Sequence, residues 1–419
     1  MGSWLPLWHE LDRISWQRMS HFFSRWNPWR GLGALPPKIW IHFAATLVNR
    51  MGTMVIPFLV LYLTKSLGFT AEHAGLMLSL YGAASLCVSP FLGRLADRVG
   101  HVRMMKASLL SSGLVMLAYP LAHTAGQIVV ATIALAVTAE AFRPASLSVL
   151  TDIAPPELRK AAFAANRLAV NLGMSIGPAV GGYLAEISFP AIFRVDGSTS
   201  LLAFAVLAMT GFKVAEHAEA VRHDGTTPPR SRPAYKDLQL WGFLAACVPL
   251  AAVFFQHEGA LPLDVVRDLG FPASFFGWMF TINTALIVLF EVRLNLSTSH
   301  WPHRKSLFLG GLFIAVGFGA MAFAHTGLAI AGSVVLWTIG EMILLPSMSN
   351  FVAELAPSDR RGEYMGLYSM AWGLAFAIGP WLGTLVLERF GRVPLWAGTF
   401  AVAALASIAM GRMRPPTKS

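Results

Sequence analysis

From residue 39 onward the apolar positions of this chain neither alternate nor form a stripe; they run in nearly unbroken stretches separated by short polar gaps. A half-buried strand would alternate, and a surface helix would keep its apolar residues to one face. Stretches of this length instead match the roughly 20 residues a helix needs to cross about 30 Å of hydrocarbon. Twelve qualify, at approximately 39–63, 72–92, 104–123, 126–150, 161–186, 191–212, 237–257, 272–292, 305–324, 327–351, 363–387 and 393–411. The polar stretch KVAEHAEAVRHDGTTPPRSRPAYK divides six spans from six and reads as a linker by its Pro, Gly and charge content. The expected organisation is a Trp- and Arg-rich N-terminal interfacial segment 1–38, a six-helix bundle 39–212, the linker 213–236, a second six-helix bundle 237–411 and a tail 412–419.

The halves are related in sequence. Shifting the chain by 202 residues lays Pro144–Glu186 over Pro346–Glu388 with eleven identities in 43 positions, among them Pro155/Pro357, Arg159/Arg361, Gly177/Gly379, Pro178/Pro380 and Gly181/Gly383. Parallel repeats of six spans are an arrangement of secondary transporters, whose substrate site lies near the bilayer midplane between the repeats.

Composition agrees with a membrane protein: 55% of residues are hydrophobic and 13% charged, against about 25% charged in soluble domains. The net charge of +10 does not point to nucleic acid, because the basic residues fall in short gaps between spans and build no continuous basic face. They set topology instead. With the N-terminus inside, 24 Lys and Arg lie in cytoplasmic segments and 5 in outer ones, which places both termini in the cytoplasm. Cys87 and Cys247 both sit in apolar runs and read as small hydrophobes. Nucleotide-binding glycine patterns and catalytic motifs are absent, so neither an enzyme nor a cofactor is expected.

Three arginines and two glutamates stand within the spans away from their ends. Arg50, Glu140 and Glu341 each lie 11 or 12 residues from the inner end of a span, roughly 16–18 Å deep at 1.5 Å per residue. Charge at that depth costs a few kcal/mol even on lenient scales, so these groups face a cavity or one another. Glu140 and Arg143 share a helical face and can pair, either as a lock between spans or as a coupling step. Arg167, about six residues into span five, can reach Asp152 or a phosphate at the inner rim. Glu341 has no basic neighbour within a turn, and burial disfavours the ionised form of a carboxyl, so it is the first choice for proton coupling and Glu140 the second. Gln256, His257 and Glu258 form a polar cluster at the outer end of span seven, read either as a proton-receiving group or as an ordinary wetted helix end. Asn49, Asn166, Tyr81, Asn283, Trp337 and Trp372 join Arg50, Arg143 and Arg167 as candidate cavity walls. Three arginines against two glutamates tilt the expectation toward a cargo with an anionic group.

The loop GRLADRVGHVR between spans two and three resembles the signature loop of the major facilitator superfamily, with Gly93, Asp97, Arg98, Gly100 and Arg103 on the pattern and His101 and Val102 at usually basic positions. GMSIGPAVGG in span five resembles the glycine motif of that superfamily's twelve-span drug:proton antiporters, carried by Gly173, Gly177, Pro178, Gly181 and Gly182. Glu341 in TIGEMILLPS is similar to the acidic tenth-span position of some of those exporters. The opening of span one, NRMGTMVIPFLVLYLTKSLGFT, is similar to that of proton-coupled peptide transporters, with Thr46 and Asn49 where that family has glutamates. The resemblance implies an all-α membrane protein of the major facilitator fold, twelve transmembrane helices in two six-helix halves around a central cavity. It further implies a monomer in a bacterial inner membrane, a cytoplasmic gate in the signature loop, and proton-gradient-driven export of amphipathic organic compounds by alternating access. The expected partners are a small-molecule substrate, protons and membrane lipids, and no nucleic acid. Uptake of a small anionic nutrient or peptide, and lipid translocation, stay open as alternatives.

In the gate, Asp97 is expected to accept hydrogen bonds from Arg103 and from the free amides near Gly362 at the start of span eleven.

Overall fold

A backbone in hydrocarbon has no water to satisfy its N–H and C=O groups and must pair them within the segment; each long apolar stretch accordingly forms a helix. The computed structural model describes residue 33 and residues 35–212, 233–357 and 359–414. The Trp-rich stretch at the N-terminus, most of the linker and the end of the tail lie outside the described residues. Twelve long helices follow among the described residues: α1 Pro37–Lys65, α2 Ala71–Val99, α3 His101–Leu121, α4 Ala125–Ile153, α5 Arg159–Ile187, α6 Phe189–Met209, α7 Leu238–Asp268, α8 Ala273–Thr298, α9 His303–Ala320, α10 Gly327–Leu355, α11 Arg361–Phe390 and α12 Arg392–Gly411. Among the described residues, eleven of these are long and apolar enough to cross a membrane; the remaining one, α9, has 18 residues and spends its first three on His303, Arg304 and Lys305.

The duplication is wider in structure than in sequence. Helices α8, α9, α10 and α11 begin 202 residues after α2, α3, α4 and α5. Thr124 and Thr326 each accept a hydrogen bond from the backbone N–H three residues on, capping α4 and α10 alike. Gly68 and Gly270, at φ of +71° and +75°, make the same left-handed turn before α2 and α8, a conformation that costs a glycine little.

The halves meet along two seams, α2 on α11 and α5 on α8. Lipid tails are as apolar as leucine, so close packing and hydrogen bonds must hold the seams, and small residues let backbones approach. A methyl added at Gly182 would stand 2.6 Å from the Ala273 carbonyl oxygen, and one at Gly82 3.0 Å from the Ala377 nitrogen. One end of the bundle is tied: Arg389 pairs with Glu72 at 3.0 Å, and Glu186 accepts from the Ser274 N–H at 2.9 Å, capping α8 from the opposite half. At the other end, Gly93, Gly362 and Gly366 face open space and Asp97 is exposed. At that end the Phe142–Ile153 part of α4 packs on helices of the first half and α10 on helices of the second, so the molecule is tied at one end and parted at the other.

Three helices are interrupted where their sequences demand it. Pro57 supplies no N–H, and α1 breaks at Gly52–Met54. The freed amides of Met54 and Val55 donate to Asp196 Oδ2 of α6 at 3.2 and 3.1 Å. Pro144 withholds the N–H that would reach Glu140, and α4 breaks at Ala141. Helix α7 passes through a tight turn at Phe255–His257 and a widened π turn at Leu263–Asp268.

Candidate functional site

Two clusters of polar residues occupy the interior. In the first half, the break in α1 positions Arg50, whose guanidinium lies 5.9 Å from the Phe142 ring centroid and whose Nε is buried without a partner. Arg50, Glu140, Asp196 and Glu258 all lie within electrostatic reach of Tyr81. Asn49 donates to Ser200 Oγ at 3.3 Å, and Asn166 keeps a buried, unpartnered Oδ1. The glycine run of α5 seats this arrangement: Gly173 faces the Arg50 backbone, Gly177 the Met51 carbonyl and Gly181 the Met54 side chain. Gly182 and Pro178 look the other way, onto α8.

Between the halves, a cavity of about 310 Å³ is lined by Arg167 and Asn171 of α5 and by Glu291, Glu341 and Ser349 of α8 and α10, with Ile287, Met342 and Leu345 as apolar walls. Glu341 accepts a hydrogen bond from Asn283 Nδ2 at 2.8 Å, and the same amide donates to Thr338 Oγ1 at 3.0 Å. Arg167 forms an ion pair with Glu291 across the α5/α8 seam. Beside the cavity, the His257 ring sits against Phe254, Phe280 and Trp337 at 4.8, 5.8 and 6.1 Å, and Trp372 packs edge-on against Phe254 and Phe255.

Several expectations change. Among the described residues no ion pair within bonding distance joins Glu140 to Arg143, because α4 breaks between them; Glu140 stays within electrostatic reach of Arg143 and lies beside Ser85 and Ser89 of α2. Arg167 reaches Glu291, not Asp152, which takes His101 Nδ1 at 3.1 Å. In the signature loop Asp97 meets His101 Nε2 at 3.4 Å, while Arg103 donates to the Val99 carbonyl, so among the described residues the expected Asp97–Arg103 bond is replaced. Arg98 is exposed, and Gly100 takes a φ of +95° between α2 and α3. Gln256–Glu258 does follow the end of the first helical part of α7 at Phe254, but it is not wetted: Gln256 is 3% exposed, the group turns inward among aromatic rings, and α7 resumes to Asp268. Trp337, only 5% exposed and stacked on Phe318, is packing more than wall.

Glu291 and Asp196 were not singled out by the sequence reading. Glu291 falls at the edge of the apolar run 272–292, but α8 extends to Thr298 and carries it inside, 8% exposed and two turns from Asn283 on the same face. Asp196 is 3% exposed in α6. Glu258 and Asp264 are further acids inside the spans, Asp264 buried and bonded to Arg392 at 2.9 Å, so among the described residues the interior acids exceed the two glutamates expected from the sequence.

The profile of the Major Facilitator Superfamily matches residues 42–263 and 258–414. Similar chains include the MFS-type transporter YqjV of Bacillus subtilis strain 168, 26% identical over 85% of this chain and 87% of that one. A Na(+), Li(+), K(+)/H(+) antiporter of Planococcus maritimus is 23% identical over 85% and 91%. The quinolone resistance protein NorA of Staphylococcus aureus is 28% identical over 36% of this chain and 39% of that one. In fold the molecule is similar to a POT family transporter crystallised with a thioalcohol-conjugated peptide, at a TM-score of 0.75 and 14% identity over 90% of this chain and 98% of that chain. Twelve helices in two duplicated halves, parted at one end around a charged interior, together with a family match along nearly the whole chain, make this protein a member of the Major Facilitator Superfamily.

Proposed function

We propose that the protein exchanges protons for amphipathic organic compounds and that positively charged ones suit its interior best. The observation that carries this reading is the setting of Glu341: it shares a cavity with a carboxylate and an arginine that already pair with each other, and its own hydrogen bond comes from an amide. Glu341 is thus the cavity's uncompensated acid. A proton or a cationic cargo can each neutralise it, and one excludes the other, which is the requirement for exchange. The apolar walls and the neighbouring aromatic rings suit the organic part of such a cargo, since ring faces attract cations. The partial likeness to a quinolone resistance protein and the longer one to a cation/proton antiporter favour efflux over uptake. The excess of basic residues in the segments at the parted end supports a cytoplasmic orientation for that end in a bacterial plasma membrane, and with it an inward-open state.

Inverted membrane vesicles loaded with acid test the direction. Adding a monovalent aromatic cation outside is expected to drive protons out as the cation accumulates; cation and protons moving together would sink the proposal. In Glu341→Gln, which resembles the protonated acid, the pH-driven accumulation is expected to disappear and gradient-free cation binding to weaken and lose its dependence on pH.

A further inference from the structure

The Arg167–Glu291 pair raises a question of charge. A guanidinium within reach of Glu341 should hold that acid ionised and occupied, leaving nothing for a proton or a cargo to exchange. Arg167 and Glu291 are the charged groups in electrostatic reach of Glu341, and all three line one cavity. Helix α8 packs on α5 and α10. The groups facing Glu291 are Arg167 from α5 and Glu341 from α10, with Asn283 on its own helix directed to Glu341. Glu291 is nearly buried while Arg167 remains open to the cavity, so the glutamate is the fixed partner and the arginine the one able to swing. The repeat argues the same way: 202 residues away stand Ser369 and Ser89, so the shared frame assembles without this pair.

We infer that Glu291 is a positioning residue for coupling: by holding Arg167 to the α5/α8 seam it keeps the guanidinium off Glu341, which leaves Glu341 able to trade a proton for a cation. This inference rests on the reading of Glu341 as the exchanging acid. It follows that charge balance, not the presence of either side chain, is what coupling needs. Removing Glu291 alone releases Arg167 to Glu341 and makes the cavity neutral. Removing both restores one net negative charge at Glu341.

The experiment compares wild type, Glu341→Gln, Glu291→Gln, Glu291→Asp and the double variant Arg167→Gln/Glu291→Gln in proteoliposomes, with a monovalent aromatic cation as probe and an imposed pH gradient. Size-exclusion profiles and thermal unfolding in detergent accompany each protein. Glu291→Gln is expected to lose at least about tenfold in pH-driven transport, a change equal to about 1.4 kcal/mol. Its cation binding should also lose its dependence on pH. The double variant should regain most of both, and Glu291→Asp should keep the wild-type pH profile. A Glu291→Gln protein with wild-type pH dependence, or a folded double variant as inactive as the single one, overturns the role given to Glu291. Wild-type pH dependence in Glu341→Gln instead overturns the reading beneath it. Should Glu291→Gln fail to fold, the aspartate variant decides: a pH profile lost despite the retained charge contradicts the inference.

Discussion

The α2/α11 and α5/α8 seams are built from duplicated helices and share a register, yet they differ where they cross the interior. Each packs through small residues: Gly82 and Gly373 in one, Gly182 and Gly277 in the other. Each is tied at the closed end by a carboxylate, Glu72 to Arg389 in one and Glu186 to the Ser274 amide in the other. Toward the parted end the α5/α8 seam carries the Arg167–Glu291 pair, whereas the equivalent positions of α2/α11 are Ser89 and Ser369. The common parts repeat because close approach of two helices in lipid admits few solutions. The charge does not repeat, and burying it has a cost that close packing alone does not require. A feature that breaks the symmetry at such a cost is where function is to be sought.

That contrast can be broken in order of expected effect. Gly277→Val drives a side chain into the Pro178 carbonyl and Gly82→Val drives one into the α11 backbone, so each is expected to lose roughly 1–3 kcal/mol of stability in thermal unfolding. Gly93→Ala, which meets nothing, serves as the control. A large loss at one seam alone would show that the frame is not shared. Next come the outer ties. Glu186→Ala removes a helix cap and is expected to cost about 1 kcal/mol; Glu72→Ala, in an exposed ion pair, should cost less than about 1 kcal/mol and lose its effect at high salt. Labelling of cysteines placed at the closed end should rise in both variants; unchanged labelling would deny these contacts a part in holding that end shut. The smallest effect is predicted for the repeated pairs His101–Asp152 and His303–Glu354, at 3.1 and 2.9 Å and partly exposed at the parted end. His101→Ala and His303→Ala should each change stability by under about 1 kcal/mol, and by similar amounts.

The frame was legible in the sequence because lipid makes apolar length and small-residue spacing decisive. The 202-residue shift seen over Pro144–Glu186 extends to the starts of four helix pairs. The acidic interior was less legible. Glu291 stands at the very edge of the apolar run 272–292 and reads as part of a polar span end; only the continuation of α8 to Thr298 brings it inside. Asp196 is a lone acid in an apolar run whose purpose appears once the broken α1 offers it two free amides. Glu140 and Arg143 stand three apart, as helical partners do, but Pro144 breaks the helix that would have joined them. Glu341, the acid without a basic neighbour in sequence, does lie in a cavity with a partner from another helix, Asn283.

The most direct measurement of the central claim is the affinity for a monovalent aromatic cation as a function of pH, in purified wild type and in Glu341→Gln. If one proton and the cation compete for Glu341, the wild-type Kd should weaken about tenfold for each unit of acidification on the acid side, or about 1.4 kcal/mol per unit. The Kd of Glu341→Gln should be flat across the same range. A variant that retains the wild-type slope would contradict the account, because the exchanged proton would then reside on another group.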